Sequence, residues 1–341
     1  MRLAPLRAPL LASLLALGCA CSPAPSTPRV PADADARVLA VGDAIVDDVM
    51  ENEPSFVAML RPPGARYDGL PDVSAAGRRA REARLDGLEA DLARVSSPAL
   101  RSPAARLAYE IAKEVLSAGR QMRVCKKDLW AVGQMTGFHV SLANLAQAQP
   151  VGTPEARKAA LSRFALVPAY VDTQIANLRE GLGLGYAQAA INVEQVIGQL
   201  GRMTGGKVAD SPFFAPAARD PEPAFVAAFG ELLEKAVVPA LVRYREFLEK
   251  EYLPRARKPL GVKGNPDGAA CYLASIRQAT TLPLAPEQVH ELGKAELARV
   301  EGEMRAITEK RFGTSDTRAV LSRLTSEPAY LHKTREEILE H

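Results

Sequence analysis

The chain has 341 residues, of which 47% are hydrophobic and only 5% aromatic, and its formal net charge is +3. This composition is ordinary for a globular protein. Because basic and acidic residues are interspersed, no extended basic field exists that would favour nucleic acid as a partner. The low aromatic content and the abundance of Ala and Leu favour helices over strands. We therefore expect an all-α fold, a multi-helix array of long antiparallel amphipathic helices.

The N-terminus has the layout of a secretory signal peptide. Arg2 and Arg7 precede an apolar run that is too short to span a bilayer, which takes about 20 residues. The sequence Ala-Leu-Gly-Cys at 16–19 resembles the bacterial lipobox, which predicts removal of residues 1–18 and lipidation of Cys19. Cys21 is a second candidate acceptor, and ordinary cleavage without acylation is the simpler alternative. The lipid bilayer is thus an expected partner.

The segment that follows Cys19 is rich in Pro, Ser and Ala. Such segments are extended and bury no core, so residues 19–37 are expected to form a tether and residues 38–341 the helical domain. Ala20 after the acylated cysteine resembles the sorting pattern for the outer membrane. We therefore expect the protein in the cell envelope, on the periplasmic face of that membrane.

Several helices are predicted from apolar spacing and from their end signals. Pro54 should interrupt the first helix or start a new one, and Pro239 should kink or split a later one. Thr153 should begin a single helix that is terminated by Gly181, Gly183 and Gly185. The charged helix at 75–95 is interpreted as a solvated face without a functional role. Residues 285–313 form a further helix with a stripe expected to face the core, which consists of Val289, Gly293, Leu297, Val300, Met304 and Ile307.

No catalytic residue or metal ligand is predicted from the residues themselves. The histidines, His139, His290, His332 and His341, include no His-x-x-x-His pair, and the Gly-x-Ser-x-Gly motif is absent. His290 and His332 are interpreted as surface residues, as is His341. Cys125 and Cys271 lie among apolar neighbours and are expected to be buried free thiols, with a disulfide as the alternative.

The segment from residue 258 to 286 differs in composition from the predicted helices around it. It begins with turn-forming residues around Asn265 and Asp267 and continues into a helix-compatible stretch with Tyr272. A purely structural loop is one interpretation. The other is a loop that lines a pocket, since loops on rigid scaffolds often carry binding residues.

This part of the sequence resembles the bacterial domain of unknown function 885 family. The resemblance rests on a Pro-x-Gly-x-x-x-Tyr run, a Thr-Thr pair and a helix of the form His-x-x-Gly-x-x-Glu, and it spans roughly residues 38–341. The matching positions are Pro266, Gly268, Tyr272, Thr280, Thr281, His290, Gly293, Glu296, Arg299, Glu303 and Met304.

The resemblance implies a helical lipoprotein related to zinc peptidases of the gluzincin type. Family members are usually longer, and their C-terminal half carries a His-Glu-x-x-Pro-Gly-His-His stretch that this sequence lacks. We therefore expect the N-terminal scaffold half of such a protein, incomplete at its C-terminal end and without zinc unless the other half is present. The alternative is a short, non-catalytic envelope lipoprotein that binds a ligand or partner.

Two further expectations follow from the resemblance, and a third follows from the last residues of the sequence. Asp267 and Tyr272 are candidates for contacting a substrate, and a peptide is the expected ligand. If the chain is a fragment, apolar helix faces should be exposed and stability should be low. The last segment should open a helix at Thr334, which precedes Glu337 in a capping-box pattern.

Overall fold

The computed structural model describes residues 33–340, and the predicted all-α fold is confirmed. The predicted signal peptide, Cys19 and His341 lie outside the described residues. In the described part of the chain, the β-structure is limited to one isolated bridge between Ala189 and Arg257. The helices are α1 (Ala34–Asn52), α2 (Pro54–Leu60), α3 (Ala75–Ala93), α4 (Pro103–Met122), α5 (Phe138–Ala148), α6 (Pro154–Ala165), α7 (Val167–Gly183), α8 (Ala190–Thr204), α9 (Ala215–Ala218), α10 (Pro223–Leu232), α11 (Val238–Phe247), α12 (Gly268–Thr280), α13 (Pro286–Phe312), α14 (Thr317–Ser326) and α15 (Arg335–Glu340).

The helix starts follow from local capping chemistry. The side chain of Asp33 accepts the N–H of Asp35 at 3.1 Å, so α1 begins at Ala34 rather than at residue 38. The last four residues assigned to the tether therefore belong to a helix. At the other end, Thr334 Oγ1 accepts the N–H of Glu337 at 3.2 Å and opens α15 as predicted.

Prolines divide two helical stretches in different ways. The single helix predicted from Thr153 is wrong, because α6 ends at Ala165 and α7 starts with Pro168 in its first turn. Proline supplies no N–H to the preceding turn and fits best at a helix start. Before Pro239 the chain instead widens into a π-helical turn, Leu233–Val237, which leads directly into α11.

The buried apolar side chains form two clusters. The smaller one joins α1, α3 and α4 through Val38, Val41, Leu92 and Leu116. The larger one is built mainly by α5 to α8, α10 and α11, and it includes many fully buried side chains, among them Phe164, Val171, Val196, Leu200, Phe229 and Leu241. The chain thus has two packed layers whose facing surfaces can enclose a space.

The stripe on α13 does not face a core. Leu297 and Ile307 are 60% and 58% exposed, and Thr308 is the buried residue of this 27-residue helix. The prediction that these apolar residues are core residues is therefore wrong for the described chain. The amphipathic pattern was correctly recognised, but a pattern identifies an apolar face and not what covers it.

Within residues 33–340 no helix combines the length and the apolar character that a membrane span requires.

Candidate functional site

A cavity of about 600 Å³ lies between the two apolar clusters. Leu85 of α3 and Met122 of α4 line it from one side, and Phe138, Leu142 and Leu145 of α5 line it from the other. Ligand pockets of roughly 300–1,000 Å³ commonly form where two packed units meet. This cavity is therefore the candidate site.

Helix α3, which was expected to be merely solvated, fixes the cavity wall through its arginines. Arg81 donates from Nε and Nη2 to Asp48 Oδ2, at 3.0 and 2.8 Å, and Arg84 donates to Asp48 Oδ1 at 2.5 Å. Asp48 is only 4% exposed, so its charge depends on these two donors. The cluster locks α3 onto α1 at the edge of the cavity.

Arg78 joins three segments around the same wall. Its Nη1 donates to the carbonyl of Val73 at 3.0 Å and to Asn177 Oδ1 of α7 at 2.8 Å. Its remaining nitrogens lie 4.0 Å from Asp128 Oδ2 and 3.8 Å from Glu180 Oε2. The guanidinium therefore joins α3 to α7 through hydrogen bonds to neutral groups, and its carboxylate partners are more distant.

Two aromatic rings form the apolar end of the cavity. The rings of Phe138 and Tyr170 have centroids 5.8 Å apart in an edge-to-face arrangement. Burial raises the pKa of the Tyr170 phenol, the hydrogen bond with Gln174 acts in the opposite direction, and the carboxylates of Asp128 and Glu53 raise this pKa further. Tyr170 is thus a neutral hydroxyl next to negative charge.

The segment between α4 and α5 forms part of the wall and is fixed by a disulfide. Cys125 and Cys271 are bonded, with Cα atoms 4.7 Å apart, so the expectation of two free thiols is wrong. Both positions are buried and apolar as expected, but sequence cannot show that helices 146 residues apart bring them together. Lys127 and Asp128, two and three residues after Cys125, line the cavity.

Asp267 and Tyr272 lie beside this wall and do not line the cavity. Tyr186 donates from its hydroxyl to Asp267 Oδ2 at 2.8 Å, and Lys126 Nζ lies 4.0 Å from the same oxygen. Asp267 has a positive φ of 54° and is followed by Gly268, where a Cβ would lie 2.1 Å from the carbonyl oxygen of Val262. Both candidates are exposed, and their contact with a substrate stays a prediction.

Arg257 holds the loop before Asp267 in one conformation. Its Nε donates to the carbonyl of Ala187 at 2.8 Å, and Nη1 donates to the carbonyls of Pro259, Leu260 and Gly261. A guanidinium that satisfies four carbonyls removes much of the freedom of a loop. The 258–268 segment is therefore a fixed element of the scaffold.

The described residues do not offer a zinc site. Between residues 33 and 340 no group of three His, Cys, Asp or Glu side chains is placed to hold a metal ion. His290 and His332 are exposed, as predicted. His139 is buried. Because Gln199 Nε2 donates a hydrogen bond to the Gln134 carbonyl, Gln199 Oε1 is the atom that faces His139, and it accepts a hydrogen bond from His139 Nε2 at 2.9 Å.

Sequence reasoning missed the cavity residues altogether. Arg78, Arg81 and Glu82 belong to a helix whose charges were interpreted as solvent-facing, and Glu53 lies at a helix junction. The one signal in the sequence was the dense spacing of arginines on α3, opposite an acidic helix. Spacing alone cannot distinguish arginines that face solvent from arginines that join two helices.

Comparison with known proteins identifies the family. Residues 58–341 match the family described as "Bacterial protein of unknown function (DUF885)". The chain belongs to the DUF885 family. This confirms the resemblance drawn from the motif around Pro266 and Tyr272, although the family description itself names no activity.

A solved structure shares the fold. The chain is similar to "the putative lipoprotein from Colwellia psychrerythraea", with 16% sequence identity and a TM-score of 0.75. The match covers 90% of this chain and 57% of that one, so this DUF885 chain spans little more than half of its structural relative. Among curated proteins, none is significantly similar to this sequence.

Proposed function

We propose that this DUF885 protein is a lipid-anchored helical scaffold of the cell envelope that binds a peptide ligand in the cavity between its two layers. The cavity is the observation that carries the proposal, because it combines an apolar floor with a few fixed polar groups. Peptides suit such a lining, since they present apolar side chains together with backbone donors and acceptors.

The peptide proposal is tested by filling the cavity. Gly119 lines it, and a Cβ added there would meet no atom within 4 Å beyond the backbone of its own helix. Gly119→Leu should therefore place its side chain in the cavity and weaken binding of end-capped fluorescent tetrapeptides at least about tenfold, which corresponds to ~1.4 kcal/mol. Fluorescence anisotropy of the full chain in detergent measures the affinity.

Gly87→Leu is the matched control, because Gly87 also has open space around its Cβ position but does not line the cavity. It should leave the affinity unchanged. Equal affinities of both variants, or no binding of any peptide to the unmodified chain at millimolar concentration, would refute the proposal.

The envelope location is proposed from the lipobox-like sequence before Cys19 and from the lipoprotein description of the Colwellia relative. Cys19→Ser should abolish palmitate incorporation and release the protein from the membrane fraction, while Cys21→Ser should do neither. Labelling that persists in Cys19→Ser would assign the acylation elsewhere. Fractionation on a sucrose gradient tests the proposed periplasmic face of the outer membrane.

We further propose that the chain corresponds to the N-terminal scaffold of a zinc-peptidase-like protein and is not catalytic by itself. The described residues give zinc no site, and the Colwellia relative contains substantial chain beyond the matched part. Elemental analysis of the purified full chain should find no stoichiometric zinc. About one tightly bound Zn²⁺ per chain would overturn this proposal, because such sites need three protein ligands.

The alternative is a short, non-catalytic lipoprotein that acts by binding alone. The genomic sequence after codon 341 separates the two proposals. A His-Glu-x-x-Pro-Gly-His-His stretch in any frame within the next few hundred bases supports the peptidase-like scaffold. A stop codon followed by unrelated sequence supports the short lipoprotein.

A further inference from the structure

The charged residues that line the cavity are equal in number but not in their remaining charge. Four are basic and four are acidic: Arg78, Arg81, Arg123 and Lys127, and Glu53, Asp72, Glu82 and Asp128. The electrostatic potential that a ligand experiences in the cavity depends on which of these charges are already paired with charged residues outside it.

Two of the four cations are compensated from outside. Arg81 binds Asp48 at 2.8 Å, and Arg123 binds Asp86 at 2.9 Å; neither carboxylate lines the cavity. In both cases the arginine lines the cavity while its guanidinium is paired with a carboxylate that does not line it. These two ion pairs leave little positive potential for a ligand.

The acidic residues are compensated less closely. Among residues 33–340, no cationic nitrogen lies within 4.0 Å of the carboxylates of Glu53, Asp72 or Glu82, and Asp72 accepts the backbone N–H of Ser74, at 2.9 Å. Asp128 has Arg78 at 4.0 Å, which Glu180 shares. Lys127 is exposed and forms no ion pair with a residue of the described range. Four carboxylates therefore face the cavity against two cations, and one of these cations is shared with a fifth carboxylate.

We infer that the cavity selects a ligand with a cationic group, the ammonium or guanidinium of a peptide. This inference rests on the proposed peptide-binding function and specifies the ligand within it. Glu53 on the α1–α2 junction and Glu82 on α3 would accept charge-assisted hydrogen bonds from the cation.

The aromatic end of the cavity fits the same ligand. Phe138 and Tyr170 line the cavity together with these carboxylates, and a cation over the face of an aromatic ring is stabilised electrostatically. The Asp128 and Glu53 charges also reach Tyr170, as the raised pKa of its phenol indicates, after the larger effect of burial. A peptide with a basic side chain next to apolar ones would satisfy both parts of the lining.

The inference is tested with three peptides that differ in one side chain. The peptides Ac-Leu-Lys-Leu-Ala-NH₂, Ac-Leu-Gln-Leu-Ala-NH₂ and Ac-Leu-Glu-Leu-Ala-NH₂ are titrated against the full chain at low salt. The lysine peptide should bind at least about tenfold more tightly than the glutamine peptide, and the glutamate peptide should bind most weakly. Raising the ionic strength should reduce the preference, because the carboxylates are partly exposed.

The variants Glu53→Gln and Glu82→Gln should each reduce the preference for lysine over glutamine at least about threefold. Glu301→Gln is the matched control, because Glu301 is exposed on α13 and does not line the cavity. It makes the same change in net charge and should retain the full preference.

The outcomes separate the two proposals. Equal binding of all three peptides overturns the inference about charge and leaves peptide binding intact. Tighter binding of the glutamate peptide also overturns it and assigns the selectivity to Arg78 and Lys127. Absence of binding by every peptide overturns both proposals.

Discussion

Cys125 and Cys271 are bonded across 146 residues of sequence, and the bond attaches α12 to the segment that completes the cavity wall. An ion pair between Arg277 and Glu114 joins α12 to α4, the helix that precedes this segment. Together they fix the position of Lys127 and Asp128 against the N-terminal layer.

Removing the disulfide should lower the free energy of unfolding. The double variant Cys125→Ala, Cys271→Ala should lose about 2–4 kcal/mol, because the unfolded chain regains the freedom of a long loop. Urea unfolding followed by circular dichroism measures the loss. Reductant should destabilise the unmodified chain by a similar amount and have no effect on the double variant, and equal stabilities with and without the bond would contradict the prediction.

Asp48 should be essential for the attachment of α3 to α1. Asp48→Asn should lower the free energy of unfolding by about 1–3 kcal/mol. This loss is smaller than that for a fully buried ion pair, because the side chains of Arg81 and Arg84 are 40% and 43% exposed and water can solvate them. Asp47→Asn is the control, since the adjacent Asp47 is exposed and should tolerate the change. Equal midpoints of the two variants in urea would show that the cluster contributes nothing to stability.

The contact between α7 and the cavity wall leaves no room for a side chain at Gly181. A Cβ there would lie 1.8 Å from the carbonyl oxygen of Leu129, so Gly181→Ala should cost more than about 2 kcal/mol by displacing the backbone. Gly183→Ala, two residues later with open space, should be neutral or stabilise α7 by up to ~1 kcal/mol. Thermal melts of both variants compare the two effects directly.

His139 should make stability depend on pH in the acidic range. Burial lowers the pKa of its imidazole, an effect only partly opposed by the hydrogen bond to Gln199. Above about pH 6.5 the ring is neutral in both states, and below it the unfolded chain takes up the proton first, so stability falls as the pH decreases. His139→Gln should flatten this fall between pH 7 and 5 in urea titrations, and an unchanged fall in this variant would contradict the prediction.

The stripe on α13 should contribute little to stability. Leu297→Gln should change the free energy of unfolding by less than about 0.5 kcal/mol, because Leu297 is 60% exposed. Leu200→Ala, at a position that is fully buried, should cost about 2–5 kcal/mol. A large loss in Leu297→Gln would mean that something covers this face in solution, and light scattering would then show whether it is a second copy of the chain.

The helical class, most helix starts and the family could be predicted from the sequence, because capping residues, prolines and the motif around Tyr272 are local signals. The division at Pro168 was missed because apolar spacing continues across it. The disulfide and the cavity depend on which helices meet, and Cys125 and Glu53 carry no local sign of their distant neighbours. The α13 stripe illustrates the same limit, since periodicity cannot show whether a face is covered.

The attachment of α12 to α4 has a consequence for the order in which the chain can fold. The first apolar cluster consists of residues 38–116, yet the bonds that fix α4 and the wall beside it come from residues 271 and 277. Contacts of such long sequence separation must wait for the intervening chain, and they slow folding. During synthesis the residues of the larger cluster, which end at Tyr252, emerge before Cys271 and Arg277. The bonds that attach α12 to the N-terminal layer and to the cavity wall can therefore form only after that cluster has been synthesised.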